Sequence, residues 1–156
     1  MSLIWRWYTF SEFDTPTLFQ YLRLRQQVFV VEQACAYPDI DDLDLVSTHL
    51  LGWSGDALVA CLRLVPPGLK YAEPSLGRVI AVPEQRGTGL GYQLIATGLK
   101  GAAGQYPAMN NRIGAQAHLQ SFYARHGFIT VSDEYDEDGI LHVDMLWRAD
   151  QSASVI

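Results

Sequence analysis

Cysteine occurs twice in this chain of 156 residues, at Cys35 and Cys61. Two thiols with no Cys-x-x-Cys pair cannot build a disulfide framework, and each reads as a small hydrophobe rather than a reactive group. Basic residues are outnumbered: 11 Lys and Arg stand against 17 Asp and Glu, a formal net charge of −6. That balance argues against a nucleic-acid partner, which needs clustered Lys and Arg, and suits a cationic substrate. No apolar run approaches the ~20 residues of a spanning helix, so no membrane partner is expected. The opening Met-Ser-Leu-Ile-Trp-Arg-Trp lacks the basic region and long apolar stretch of a signal peptide, and the expected location is cytoplasmic. Metal motifs are missing too. Counted from Asp39, a calcium loop would need Gly where Asp44 stands and Glu where Leu50 stands, and His126 and His142 have no ligand spacing around them. Ser121 has no nucleophile-elbow motif.

What is present points to a packed domain. Hydrophobic residues make up 49% of the chain, with four Trp and six Phe, which argues against disorder. The length suits a single domain, taken as residues 1–150 with a loose tail at 151–156.

Along the chain, Leu3 to Thr9 reads as a first strand. Ser11 or Asp14 can cap a helix with Pro16 near its start. Its apolar stripe runs through Leu18, Tyr21, Leu22 and Phe29, widened by Leu24, Val28 and Val31. Arg25 interrupts that stripe, and a guanidinium there needs an anionic partner: Glu32 or an aspartate of the next loop. Residues 34–46 read as a loop bearing Asp39, Asp41, Asp42 and Asp44, either a solvated acidic surface or a rim that attracts an amine. A hairpin follows, Ser47–Trp53 and Ala57–Leu64 around Ser54-Gly55-Asp56. Leu76 to Val82 is the next strand, and a helix starts near Leu90, weakened at its end by Gly101 and Gly104. Asn111–Ala115, a short helix over 117–126 closed by Gly127, a strand from Phe128, an acidic turn at 133–139 and a strand from Ile140 to Trp147 complete the order. The expected class is α/β (α+β): a mixed, mostly antiparallel central sheet with helices on both faces.

The stretch with most chemical content is Arg86-Gly-Thr-Gly-Leu-Gly91, between strand and helix. Glycines let the backbone turn tightly and approach a ligand, and first-turn amides of the helix point outward without partners. Such a nest suits a diphosphate, with Arg86 adding charge. No Gly-Lys-Ser/Thr occurs, which excludes the nucleoside-triphosphate loop, and Gly87-x-Gly89-x-Gly91 has the wrong spacing for a dinucleotide fold.

Arg86-x-x-Gly89-x-Gly91 resembles the diphosphate loop of the GNAT superfamily of N-acetyltransferases. Phe122-Tyr123 and Gly127-Phe128 match that family's second motif, with Gln116 where Asn is usual and Leu119 where Ala is usual. More narrowly, Arg25 to Gln33, Leu76 to Val82 and Gly114 to Phe128 are similar to the ElaA subgroup, and the likeness runs from about residue 4 to 148. The resemblance implies acetyl-coenzyme A as cosubstrate and no metal. It implies coenzyme contacts from Ile80, Ala81, Val82, Arg86, Gly87, Thr88, Gly89, Leu90, Gly91 and Gln116. Tyr123 becomes the acid for the departing thiolate. For the base, Glu32, His49 and a water relay from a backbone carbonyl remain open, and Arg25 and Asp41 are candidates for the acceptor side. The partner is then a small-molecule amine or a lysine-bearing substrate, and exposed aromatics on an outer strand would allow a homodimer. Two rival readings stand beside this: an acyltransferase using a longer thioester, akin to acyl-homoserine-lactone synthases, and a non-catalytic coenzyme-binding or interaction protein.

Overall fold

The computed structural model describes residues 2–152, so the tail expected at 151–156 falls largely outside the described residues. Strands β1 (Leu3–Thr9), β2 (Thr48–Ser54), β3 (Ala57–Val65) and β4 (Ser75–Ala81) pair antiparallel in chain order. The second sheet places β8 (Ile140–Trp147) between β5 (Asn111–Gln116) on one side and β6 (Ile129–Thr130) and β7 (Tyr135–Glu137) on the other, again antiparallel. Among the described residues no helix is long and apolar enough to cross a membrane.

Helices cover both faces. Helix α1 (Thr15–Arg25) starts where Asp14 accepts a hydrogen bond from the Thr17 amide, and it runs on through a wide π-helical turn, Gln26–Glu32. Its Tyr21, Val28 and Phe29 pack with Leu51, Cys61 and Ile80. Helix α3 (Leu90–Gln105) sets Leu94, Ile95 and Leu99 against Leu50, Leu62 and Leu64 on the opposite face. Strand β3 is therefore apolar on both sides, and its buried run from Val59 to Val65 shows no alternation with polar residues before Arg63.

Three local expectations need correction. Residues 34–46 are not all loop, because Leu43–Val46 forms a short helix, α2, with Asp44 buried inside it. The acidic turn at 133–139 contains β7, since Asp138 and Gly139 both take positive φ (53° and 82°) and make the two-residue turn that a hairpin favours. Val31 is exposed rather than core, because the π-helical turn rotates it off the stripe. Gly101 also does more than loosen α3. The Trp7 ring lies against its bare backbone, in space that a Cβ would occupy, and the helix continues to Gln105.

Candidate active site

Strands β4 and β5 set off together and then part. The Arg112 amide donates to the Pro74 carbonyl at 3.1 Å, and the Leu76 amide donates to Asn111 Oδ1 at 3.2 Å. Beyond that point no ladder joins the two strands among the described residues. The cause is a bulge. The register between β3 and β4 shifts between Cys61 and Arg63, so β4 carries an extra residue there, and Arg78 is held at φ 50°. Its guanidinium fixes that conformation by donating to the Asp39 carbonyl at 2.8 Å and pairing with Asp39 Oδ1 at 2.7 Å. A cavity of about 1090 Å³ occupies the gap, walled by β4 from Leu76 to Ala81 and by β5 from Ile113 to Gln116.

The glycine loop closes one end of this cavity. Gly87 and Gly89 have φ of 84° and 86°, which side-chain-bearing residues resist, and a Cβ at either would meet nothing within 4 Å. Gly89 is the N-cap of α3. Among the described residues the amides of Gly87, Gly89, Leu90, Gly91 and Tyr92 have no backbone acceptor, so they form a nest of outward donors at the positive end of a 16-residue helix. Thr88 turns its hydroxyl back to the Gln85 carbonyl, and the Leu90 side chain is buried in the core, so both present backbone only.

Helix α4 (Gln120–Ala124) brings Tyr123 to the same cavity. The ring is buried against Phe122 and Phe128, both edge-on. Burial alone pushes the phenol well above its ordinary range, so it stays protonated. Glu32, at the end of the π-helical turn, lines the cavity and faces Arg86. Gln116 reaches across to Gln33, Nε2 to Oε1 at 3.3 Å, which bridges the end of β5 to the end of the π-helical turn. Ile80 and Ala81 line the cavity, and the Ala81 carbonyl accepts from Arg86 Nε at 3.1 Å. The Val82 amide is committed to the Val59 carbonyl.

Three residues expected at the site lie elsewhere. His49 is fully buried: Tyr21 Oη lies 2.7 Å from Nδ1 and the Asp44 carbonyl 2.9 Å from Nε2. A carbonyl can only accept, so Nε2 carries the proton and Nδ1 accepts from the phenol. Burial pushes this imidazole below its ordinary range, and it does not line this cavity. Arg25 is equally sealed, pairing with Asp44 at 2.7 Å and Asp39 at 3.0 Å rather than with Glu32. Burial would raise the Asp44 carboxyl, but the hydrogen bonds and charge of Arg25 outweigh it and hold the group at about 2. Asp41 pairs with Arg63 at 2.6 Å and Arg78 at 3.4 Å. Arg25, Arg63 and Arg78 thus share the carboxylates of Asp39, Asp41 and Asp44, none of which lines the cavity.

The β7–β8 hairpin adds residues that the sequence motifs do not mark. Glu137, Asp138, Ile140 and His142 line the cavity opposite the π-helical turn, and Cys35 Sγ reaches the Asp138 carbonyl at 3.3 Å. The Asp138-Gly139 pair was the available signal, since it predicts a hairpin that presents alternate residues to one face. Among the described residues no cluster of His, Cys, Asp and Glu could hold a metal. Cys61 is inert, its thiol pushed up to about 12 by burial.

Comparison with known proteins agrees with this geometry. A family profile described as an acetyltransferase (GNAT) domain matches residues 47–149. A UPF0039 protein of Synechocystis is 44% identical over 95% of this chain and 97% of its own length. The crystal structure of Escherichia coli ElaA superposes with a TM-score of 0.88 at 40% identity, covering 94% of this chain and all of its own (100%). That of an acyl-CoA N-acyltransferase from Pseudomonas aeruginosa also has a TM-score of 0.88, at 39% identity over 94% of this chain and 99% of its own. With the splayed strands, the amide nest and these likenesses together, the chain belongs to the ElaA-like group of the GNAT superfamily, whose shared chemistry is acyl transfer from a coenzyme A thioester.

Proposed function

We propose that the protein transfers the acetyl group of acetyl-coenzyme A directly to a primary amine, on a small molecule or a lysine side chain, with Tyr123 protonating the departing thiolate. The observation that carries this reading is one continuous cavity joining the amide nest at residues 87–92 to the Tyr123 phenol through the gap between β4 and β5. The nest suits a diphosphate, because bare glycine backbone leaves room for it and its amides lack partners. Arg86 adds a charge-assisted bond, and Ile80 and Ala81 offer a strand edge for the amide-bearing arm of the coenzyme, whereas Val82 has its amide and carbonyl engaged by Val59 and Gln85. Gln116 is long enough to serve the same arm.

Tyr123 suits the acid role because burial keeps its proton on at neutral pH, at the wall of the cavity from which the thiolate departs. The net charge of −6 favours an amine that arrives as a cation. The test is calorimetry with acetyl-coenzyme A followed by turnover against an amine panel, comparing wild type with Tyr123→Phe. We expect coenzyme affinity within about twofold of wild type and kcat lower by about a hundredfold, the lower end of general acid catalysis. An unchanged kcat removes Tyr123 from the chemistry, and no binding at millimolar acetyl-coenzyme A removes the whole reading.

A further inference from the structure

Resting on that reading, we infer that His142 is the base for the acceptor amine and that Glu137 is the anion that seats its ammonium. Geometry locates the pair on the acceptor side. Val143 and Ala115 point into the core cluster that holds Tyr123 and α3. Their neighbours His142 and Gln116, cross-strand partners in register, therefore point to the opposite face of the sheet. Tyr123 and His142 thus reach one cavity from opposite faces. An acid on one side of a thioester and a base on the other is the arrangement that direct transfer requires.

Hydrogen bonding sets the tautomer. His142 Nδ1 lies 2.8 Å from the Ile140 carbonyl, which can only accept, so Nδ1 carries the proton and the Nε2 lone pair is left for the cavity. Glu137 Oε2 stands 3.4 Å from Nε2. In the neutral imidazole two acceptors face each other there, and a group bearing protons and positive charge satisfies both. Tyr135 stacks on the imidazole, with ring centroids 6.0 Å apart, and holds its plane. The charged and titratable groups around His142 are Glu137 and Tyr135 on β7, with Lys70 also on the cavity wall and attracted to Glu137. The ligand class is a primary alkylammonium, since a carboxylate and an imidazole lone pair repel an anionic acceptor.

The protons balance. The ammonium gives one proton to His142 Nε2, and the freed amine forms the N–C bond as the C–S bond breaks. Tyr123 gives its proton to the thiolate, and the second amine proton restores the phenol through solvent. His142 then releases its proton to water, for a net release of one.

The test uses His142→Asn, whose amide nitrogen can still donate to the Ile140 carbonyl but offers no base at the Nε2 position. Probes are 1,4-diaminobutane and an Nα-blocked lysine amide. We expect acetyl-coenzyme A affinity unchanged and kcat/KM for the amine down about a hundredfold at pH 7. The variant's rate should then climb about tenfold per pH unit toward pH 9, as free amine replaces ammonium, while wild type climbs less. Glu137→Gln, at an exposed position that does not threaten folding, should raise the amine KM several-fold and leave kcat within about twofold. A rate for His142→Asn within about twofold of wild type at pH 7, or an unaltered amine KM in Glu137→Gln, overturns the assignment. Wild type that fails to turn over acetyl-coenzyme A instead overturns the transferase reading itself, so the two failures are distinct.

Discussion

Arg86 holds Glu32 in a two-point ion pair at the cavity mouth, Nη1 to Oε2 at 2.9 Å and Nη2 to Oε1 at 3.3 Å, while its Nε occupies the Ala81 carbonyl. The guanidinium assigned to a coenzyme diphosphate is therefore also engaged by a carboxylate. A diphosphate must compete with Glu32. Both side chains are nearly half exposed (44% and 43%), so the pair contributes at most about 1 kcal/mol. Glu32→Gln should tighten acetyl-coenzyme A binding by up to about fivefold, and Arg86→Glu should abolish it. Calorimetry at low salt reads both, and weaker binding in Glu32→Gln would place that carboxylate among the coenzyme's own contacts.

His49 serves stability, and its titration has a definite sign. Folding holds it neutral, below its ordinary value near 6.5, while the unfolded chain takes up a proton as pH falls past that value. Its contribution is complete above about pH 6.5 and declines as pH falls below that value, at most by about 1.4 kcal/mol per pH unit for one proton. His49→Gln should remove that slope from denaturant midpoints measured between pH 6.5 and 5. It should cost about 1–3 kcal/mol at pH 7, because Tyr21 and the Asp44 carbonyl lose a partner. The kcat of the folded variant should stay within about twofold, and a hundredfold loss would return His49 to the chemistry.

A second acid step belongs to Asp44. Its carboxyl sits at about 2 in the folded protein against an ordinary 3.8. The difference stabilises the fold by about 2 kcal/mol above pH 4 and is lost as pH falls through 4 toward 2. Asp44→Asn should flatten that step and destabilise by about 3–5 kcal/mol, since Arg25 is left buried with half of its charge partners. Urea titrations at pH 7 and pH 3 separate the two effects.

The glycine loop and the chain order of the elements were legible in the sequence because each rests on local chemistry: a turn that glycine permits, a helix stripe, an alternation. Tyr123 was marked instead by the resemblance of Phe122-Tyr123 and Gly127-Phe128 to the family's second motif. Arg25 was legible as a buried cation in need of an anion. Its partners, Asp39 and Asp44, were not assignable, because several aspartates share one segment and only tertiary packing chooses between them. His49 suggested a base by type and position, yet burial on a strand with apolar neighbours on both faces made it a core group. His142 was hidden for the reverse reason. Its role depends on the pairing of β5 with β8 and on the splay of β4 from β5, both fixed by contacts far apart in the chain.

Gly101 and Gly104 look alike in the sequence and should behave oppositely. Alanine gains about 1 kcal/mol over glycine in an exposed helix, and a Cβ at Gly104 meets nothing within 4 Å. Gly104→Ala should therefore stabilise the protein by up to about that amount. At Gly101 a Cβ would fall inside the Trp7 ring, which packs against the main core cluster from β1. The ring must move, and overpacking of this kind costs about 1–3 kcal/mol or more, enough to cancel the helix gain and reverse its sign. Gly101→Ala should lower the melting temperature and shift the tryptophan emission to the red as Trp7 meets water, while Gly101→Ala combined with Trp7→Leu should recover part of the loss. If Gly101→Ala instead matched Gly104→Ala in stability, the contact between β1 and α3 would be looser than the packing described here.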